Sequence, residues 1–203
     1  MERVLLVEGQ DDKHVVEHLY RKRFGSPPPF AVRDKGGFTI LRDEIGPELK
    51  VPGRQVLGIV LDANDDFQAR WEAMTNRLRR VFQDIEIEDP GPRGMIVTTE
   101  PKVGIWLWPD NKSSGEIEDF VATMIPRDDT VWPLSKRYIE CIPEKHRRFS
   151  EGKAHRAKLH AWLAARAEPK LMGTAIRAGD LEIDGALATR FIAWLENLFG
   201  RQS

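Results

Sequence analysis

Two short apolar runs, each ending in an acidic residue, constrain the fold of this 203-residue chain more than any other feature. The first run, RVLLVE, ends at Glu8, and the second, VLGIVLD, ends at Asp62. Apolar runs of this length between turn residues are typical of strands that are buried on both faces of a sheet. Each run is followed by a segment whose apolar residues recur at helical spacing, so the chain opens with repeated strand and helix units.

The rest of the chain extends this alternation. Further strands are predicted at 30–34, 95–99 and 103–109, and a helix is predicted from about Ser114 to Ile125, where Ser113 and Glu116 have capping-box spacing. The order β, α, β, α, β, α, β, β, α predicts an α/β fold with an open, mostly parallel sheet and helices on both faces. Its binding crevice is expected beyond the carboxyl ends of the strands.

The chain is predicted to divide near residue 125. Residues 1–125 are expected to form the α/β metal-binding domain, and residues 126–203 a helical extension that packs on it. Within this extension, helical spacing predicts one helix over about 152–167 and a last amphipathic helix near the end of the chain. Proline and charged residues dominate 126–152, where no helix is predicted.

Composition excludes several classes of protein. With one cysteine, Cys141, the chain has neither an internal disulfide nor a zinc-finger ligand set. The apolar run near the N-terminus is too short and too acidic for a signal peptide or a membrane span, so the cytoplasm is the expected location and no membrane partner is expected.

Positive charge is concentrated in the second half of the chain, although the net charge is only -1. Residues 136–170 contain ten Lys or Arg and four Glu. Such a local excess predicts contact with a polyanion such as DNA or RNA, because phosphate binding depends on local charge. A solvated helix face is the alternative interpretation.

Acidic residues follow both of the central predicted strands. Glu8 follows the first strand, and Asp62 with Asn64, Asp65 and Asp66 follows the other. If the two strands are parallel neighbours, their ends lie about 5 Å apart and these side chains converge. Carboxylates that lie so close repel one another, and a divalent cation relieves the repulsion. An all-oxygen ligand set suits Mg²⁺ or Mn²⁺.

The motifs VEGQDD at 7–12 and LDANDD at 61–66 resemble those of the Toprim domain, which topoisomerases, primases and several nucleases share. The resemblance covers about residues 1–125. Within this superfamily the chain most resembles small prokaryotic Toprim-like proteins related to the overcoming-lysogenization-defect nucleases, in which a strand like GIWLWPDN leads to a helix like SSGEIEDF. The resemblance implies a Toprim-like fold, a Mg²⁺ or Mn²⁺ cofactor and action on nucleic acid.

The resemblance also implies roles for individual residues. Glu8 matches the family's glutamate, a metal ligand or general acid/base, and Asp62 matches the first aspartate of the Asp-x-Asp motif. The chain departs from that motif at Asn64, and the loss of one negative charge there disfavours tight binding of a second ion. Lys153, or Lys158 as the alternative, is the candidate for neutralising phosphate charge. The implied catalytic residues are Glu8, Asp62 and Lys153, and the implied metal ligands are Glu8, Asp62, Asn64, Asp65, Asp66, Glu116 and Glu118, with Asp119 near them.

Structural interpretations compete with several of these roles. Acidic residues after strands often cap turns or helices, which is an alternative for Asp11, Asp12, Asp65 and Asp66, and Glu116 has the same alternative as the closing member of a capping box. Gly36 and Gly37 are interpreted as a simple loop. The histidines lack metal-ligand spacing, so surface positions are predicted for His14, His18, His155 and His160. Core positions are predicted for Trp106, Trp108, Trp162 and Trp194.

Three functions are compatible with these patterns. The first is a Mg²⁺-dependent nuclease or phosphotransfer enzyme that acts on nucleic acid phosphodiesters. The second is a catalytically inert Toprim-like binding or regulatory module, which works with a protein partner such as an ATPase in a defence or DNA-processing complex, or as an oligomer. The third is a flavodoxin-like phosphatase of small molecules. A complete topoisomerase is not expected, because neither Tyr20 nor Tyr138 lies near the acidic strand ends.

Overall fold

A computed structural model of the chain describes residues 2–200. Its five strands are β1 (Glu2–Val7), β2 (Ala31–Asp34), β3 (Arg54–Asp62), β4 (Met95–Val97) and β5 (Lys102–Trp108). They form one sheet in the order β2-β1-β3-β5-β4, in which only β4 runs antiparallel to its neighbour. The predicted open, mostly parallel sheet is therefore confirmed, and β1 and β3 are neighbours within it.

One helix follows each of the first three strands, and the remaining helices follow β5. They are α1 (Gln10–Phe24), α2 (Phe38–Leu49), α3 (Phe67–Val81), α4 (Ile117–Ala122), α5 (Val131–Cys141), α6 (Ala154–Ala164), α7 (Met172–Ala178) and α8 (Ala186–Phe199). Two 3₁₀ turns, Glu144–His146 and Glu151–Lys153, lie between α5 and α6. Among the helices described, none combines the length and the apolar character that crossing a bilayer requires.

The sheet is covered on both faces, as its apolar strands predicted. Along β3, Leu57, Ile59 and Leu61 pack with apolar residues of α2 and α3. The alternate residues Val56 and Val60 belong to a second cluster that includes apolar residues of α1, α4, α6, α7 and α8. Because successive side chains of a strand point to opposite faces, an uninterrupted apolar run requires this double covering.

Helix α8 lies close to the middle of the sheet because two paired strand residues are glycines. Gly58 of β3 is in register with Gly104 of β5. A Cβ atom added to Gly104 would lie 2.7 Å from Leu198 Cδ2, and one added to Gly58 would lie 3.0 Å from the same atom. The last turn of α8 therefore packs directly on the strand backbones at these two positions.

The segment after residue 125 packs on both the helical layer and the sheet. Helix α7 packs against α1, and α8 packs against β3 and β5. Their apolar residues belong to the same core cluster as those of α1. The predicted division near residue 125 remains a prediction, and the extreme ends of the two predicted segments, residue 1 and residues 201–203, lie outside the described residues.

Three helices differ from the sequence prediction. Helix α4 begins at Ile117 because Asp119 Oδ2 accepts the Glu116 N–H at 2.9 Å, whereas Ser113 hydrogen bonds to Asp110 in the preceding turn. The predicted cap at Ser113 is therefore wrong. Helices α5 and α7 are absent from the sequence prediction. Helix α5 accommodates Pro133 because this residue lies in the first turn, where a missing backbone N–H is tolerated.

Candidate metal centre at the carboxyl edge of the sheet

The ends of β1 and β3 lie side by side and bring Glu8 and Asp62 together. Val7 pairs with Val60 in parallel register, which places the two acids at the same edge of the sheet. Glu8 Oε1 accepts the backbone N–H of Asp62 at 3.2 Å, and Asp62 Oδ1 accepts the backbone N–H of Ile117 at 2.9 Å. The start of α4 is thereby attached to the strand ends.

A third carboxylate, that of the buried residue Asp12, joins this half-buried pair. Its Oδ2 accepts the Gly9 N–H at 3.2 Å, as a helix cap does, and its Oδ1 accepts the Trp108 indole N–H at 2.8 Å. Asp12 is only 5% exposed. The interpretation of Asp12 as a cap is correct but incomplete, because the same side chain also belongs to the acidic cluster. Its place in the first turn of α1, directly after the end of β1, is the sequence signal that could have revealed this.

Burial and mutual repulsion make these three carboxyl groups difficult to ionise together. Burial raises the pKa of Asp62 to about 9, with further contributions from the charges of Asp12 and Glu8. Burial also raises the pKa of Asp12 to about 7, where Glu8 again adds to the shift and the Trp108 hydrogen bond opposes it. The pKa of Glu8 is raised mainly by burial, although the positive charge of Arg70 opposes the change. A bound cation would stabilise the ionised form of all three groups.

These acids line an open cavity of about 370 Å³, called here the Glu8 cavity. Gly36, Gly37 and Arg156 also line it. The Gly37 N–H donates to the Glu8 carbonyl oxygen at 2.8 Å, so the glycine loop before α2 is attached to the end of β1. The interpretation of Gly36 and Gly37 as a simple loop is incomplete, because both residues also form part of the cavity wall.

A second cavity of about 230 Å³, called here the Glu116 cavity, lies on the other side of the α4 start. Asn64, Asp65, Glu116, Lys153 and His155 are among the residues that line it. Lys153 Nζ donates to Glu116 Oε1 and, at 3.3 Å, to Asn64 Oδ1. His155 Nε2 lies 3.2 Å from Glu116 Oε2. The candidate lysine therefore reaches two of the predicted metal ligands.

A backbone bridge positions Asn64 and Glu116 in the Glu116 cavity. Asn64 and Gly115 exchange two backbone hydrogen bonds of 2.7 and 2.8 Å. Asn64 has φ 52°, a left-handed conformation that Asn adopts more readily than most residues. Gly115 has φ 143°, and an added Cβ atom would lie 2.7 Å from Asp119 Oδ2. The bridge thus depends on the residue types that the sequence has at these two positions.

One compact ligand group stands out within residues 2–200. Glu116, Glu118 and His155 each offer a ligand atom, and these atoms all lie within 4.8 Å of one another. Glu118 is 1% exposed. Its Oε1 pairs with Arg156, whereas its Oε2 has no hydrogen-bond partner in the described part of the chain. A buried carboxylate oxygen without a donor is the kind of atom that a cation satisfies.

Opposite charges already stabilise part of this group. Burial alone would raise the pKa of Glu116, but the hydrogen bond and charge of Lys153, together with Arg156 and His155, hold it below its ordinary value. The prediction that His155 is a surface histidine is incomplete, since its half-buried side chain contacts both Glu116 and Asp119. No local spacing could have revealed this, because packing of α6 against α4 brings His155 to a residue 39 positions earlier.

The predicted site residues fall into three groups: those that line the Glu8 cavity, those that line the Glu116 cavity, and Asp66 and Glu118, which line neither. Asp65 lines the Glu116 cavity, and its backbone oxygen accepts a hydrogen bond from Ser114. Asp66 lines neither cavity, because its Oδ1 caps α3 by accepting the Ala69 N–H at 2.9 Å. Lys158, the alternative to Lys153, pairs with Glu140 instead. No contact in the structure supports Asp66 as a metal ligand or Lys158 as the phosphate-neutralising lysine.

Comparison with known proteins identifies one family. The model of a family described as "Protein of unknown function (DUF3226)" matches residues 2–200. No curated protein matches the chain, and no solved structure does. The match covers both the strands that carry the acidic residues and the helices that carry Lys153 and His155.

Proposed function

This chain belongs to the DUF3226 family, and we propose that it is a cytoplasmic, Mg²⁺-dependent nuclease of the Toprim type that hydrolyses nucleic acid phosphodiesters. The single observation that carries the proposal is the meeting of Glu8 and Asp62 at the carboxyl edge of the sheet, where Glu8 accepts the Asp62 N–H at 3.2 Å. Open α/β sheets bind their ligands in the crevice at this edge.

The residues present fit a hard divalent cation. Mg²⁺ is commonly bound through one or two carboxylates and retains several water molecules. Glu8 and Asp62 supply such a pair, and both line a cavity that is open to solvent. Asp12 lines the same cavity. The Oε2 atom of Glu118, which has no hydrogen-bond partner within residues 2–200, offers a further oxygen ligand. The single cysteine, Cys141, lines neither cavity, so metals that prefer thiol ligands are not favoured.

Each side chain has a definable task in hydrolysis. A divalent cation, when bound, polarises the phosphodiester and lowers the pKa of a water molecule. Glu8, whose pKa is raised by burial, accepts a proton at its carboxylate more readily than an exposed glutamate does. Lys153 Nζ supplies positive charge for the charge that develops on the phosphate oxygens. Arg156 lines the Glu8 cavity and offers a second cation there.

One observation favours the second candidate, a binding module without turnover. Lys153 and Arg156 are already paired with Glu116 and Glu118, so part of the acidic set is neutralised within the protein. Such a site would bind an ion at Glu8 and Asp62, while Lys153 stays paired with Glu116 and does not act on a phosphate. The predicted partners, an ATPase-like protein or a second copy, belong with this candidate.

A cleavage assay tests the nuclease proposal against both alternatives. Purified protein is incubated with single-stranded DNA, duplex DNA, RNA or p-nitrophenyl phosphate, each with Mg²⁺, Mn²⁺ or EDTA. Mn²⁺ binding is measured separately by calorimetry. The nuclease proposal requires cleavage of a polynucleotide that EDTA abolishes. Binding of Mn²⁺ without turnover would support the inert module, and hydrolysis of only the small ester would support a phosphatase.

Replacing Lys153 by methionine is expected to slow cleavage about a hundredfold without weakening Mn²⁺ binding. The rate falls because the phosphate loses a positively charged neighbour. Mn²⁺ affinity stays the same or increases, because the Glu116 carboxylate loses a competing cation. Lys153→Arg keeps the charge and is the matched control, with an intermediate rate expected. Equal rates for the methionine variant and wild type would contradict the role of Lys153.

A further inference from the structure

Helix α5 presents one apolar face to solvent. Its inner face is formed by the buried residues Ser135 and Ile139. On the outer face, Leu134 is 62% exposed and Tyr138 is 64% exposed. These two residues are four positions apart and therefore adjacent on the helix surface. An aromatic ring this exposed is unusual in the chain, because its other large aromatic residues within 2–200 are mostly buried.

Three exposed cations of the segment 136–170 make no ion pair within residues 2–200. Most cations of the basic segment 136–170 are engaged, as in the pairs of Lys158 with Glu140, Arg166 with Asp129 and Lys170 with Asp180. The remaining cations of interest are Arg137, Lys145 and Arg148, all exposed, none of which makes an ion pair in the portion of the chain that the structure describes. The local positive charge is therefore available to a ligand.

The start of the segment between α5 and α6 is attached to the C-terminal end of α5. Arg147 donates to the carbonyl oxygens of Ile142 at 2.9 Å and Glu140 at 3.3 Å, at the end of α5. Its neighbours Lys145 and Arg148 are thereby held close to that helix end. An exposed aromatic ring on a helix, together with exposed cations that make no ion pair within residues 2–200, is typical of a surface that binds single-stranded nucleic acid.

The same segment leads directly into the candidate metal centre. Helix α5 packs against α6, whose first turn contains His155 and Arg156, the partners of Glu116 and Glu118. Lys153, which pairs with Glu116, directly precedes α6. Arg148 precedes Lys153 by five residues, which span at most about 17 Å when fully extended. A nucleic acid strand that contacts Arg148 therefore lies close to Lys153 and to the Glu116 cavity that Lys153 lines.

From these observations we propose that the outer face of α5, with Arg137, Lys145 and Arg148, binds single-stranded nucleic acid and directs it to the metal centre, with Tyr138 stacking on a base. The inference rests on the proposed nuclease function and specifies its substrate as a single strand. Charge complementarity selects a polyanion, and the exposed ring favours unpaired bases, whose faces are free to stack. An acidic protein segment would be attracted by the charges alone.

The test measures binding in EDTA, so that it does not depend on cleavage. Fluorescence anisotropy follows a labelled DNA or RNA strand of about 15 nucleotides, a length within the range of known single-strand sites. Tyr138→Ala is expected to weaken binding about tenfold, whereas Tyr138→Phe, which keeps the ring, binds like wild type. The triple variant Arg137→Glu, Lys145→Glu and Arg148→Glu is expected to weaken binding more than a hundredfold and to lower the salt dependence of log K by about 2.

A matched triple variant controls for net charge. Lys50→Glu, Arg80→Glu and Arg93→Glu make the same charge change, with Lys50 and Arg80 in the α2 and α3 layer on the other face of the sheet. The proposal is overturned if this control loses as much affinity as the α5 variant, if Tyr138→Ala binds like wild type, or if duplex DNA or polyglutamate binds as tightly as the single strand. Tight single-strand binding by a protein that never cleaves would support this inference and contradict the nuclease proposal.

Discussion

The Asp62→Asn variant is expected to cleave nucleic acid at least about a thousandfold more slowly than wild type in the presence of Mg²⁺. The substitution removes the carboxylate charge at the position where the ends of β1 and β3 meet. It retains an oxygen that can accept the Ile117 N–H, so the start of α4 remains attached to the sheet. The loss is therefore one of charge and metal affinity, with little change in the fold. Mn²⁺ calorimetry should show binding at least about tenfold weaker in the variant.

Glu72→Gln provides the matched control for this experiment. Glu72 is exposed on α3 and contacts only Gln68 among the hydrogen bonds described, so the change removes one carboxylate charge away from both cavities. The control should bind Mn²⁺ and cleave like wild type. Wild-type cleavage by Asp62→Asn, with an unchanged circular dichroism spectrum, would exclude Asp62 from the reaction.

Stability without metal is expected to fall as pH rises, and Asp62→Asn should remove most of this effect. The folded-state pKa of Asp62 is raised to about 9, from an ordinary value of 3.8. Between these pH values the folded protein retains a proton that the unfolded chain releases, so the free energy of unfolding decreases as pH rises. Asp12, raised to about 7, contributes in the same direction over the lower part of the range. In EDTA at pH 8, the variant should be more stable than wild type by about 1 kcal/mol or more, which corresponds to a rise in Tm of about 2–4 °C.

Divalent cations should reverse this order of stability. At a Mg²⁺ concentration about a hundredfold above the dissociation constant, wild type gains about 2.7 kcal/mol. The variant gains little because its affinity is lower. Urea unfolding at pH 5 and pH 8, with EDTA or with Mg²⁺, measures all of these differences. A wild-type protein whose metal-free stability increases from pH 5 to pH 8, while that of the variant does not, would contradict the electrostatic description of the cluster.

Local sequence patterns were sufficient for the strands and for the principal pair of acids. The apolar runs that end at Glu8 and Asp62 require burial on both faces, and alternation with helices makes parallel pairing the simplest arrangement. Local patterns were less reliable for helix ends. The Asp119 side chain caps α4 by accepting the Glu116 N–H, whereas Ser113 hydrogen bonds to Asp110 in the preceding turn. Side chains of both types can cap a helix, so the local sequence does not distinguish the two arrangements.

The sequence by itself determined the open α/β sheet and placed Glu8 and Asp62 at the carboxyl ends of two buried strands, because strand and helix periodicity act between nearby residues. The structure then showed that β1 and β3 are neighbours, so that both acids meet at one edge. Only the tertiary structure decided which other groups reach that edge. Lys153, directly before α6, and His155, in its first turn, reach Glu116 from 37 and 39 positions later in the chain. Asp12 accepts a hydrogen bond from the Trp108 indole, and Asp66 caps α3. Contacts of this kind depend on how distant helices pack, and no local spacing encodes that packing.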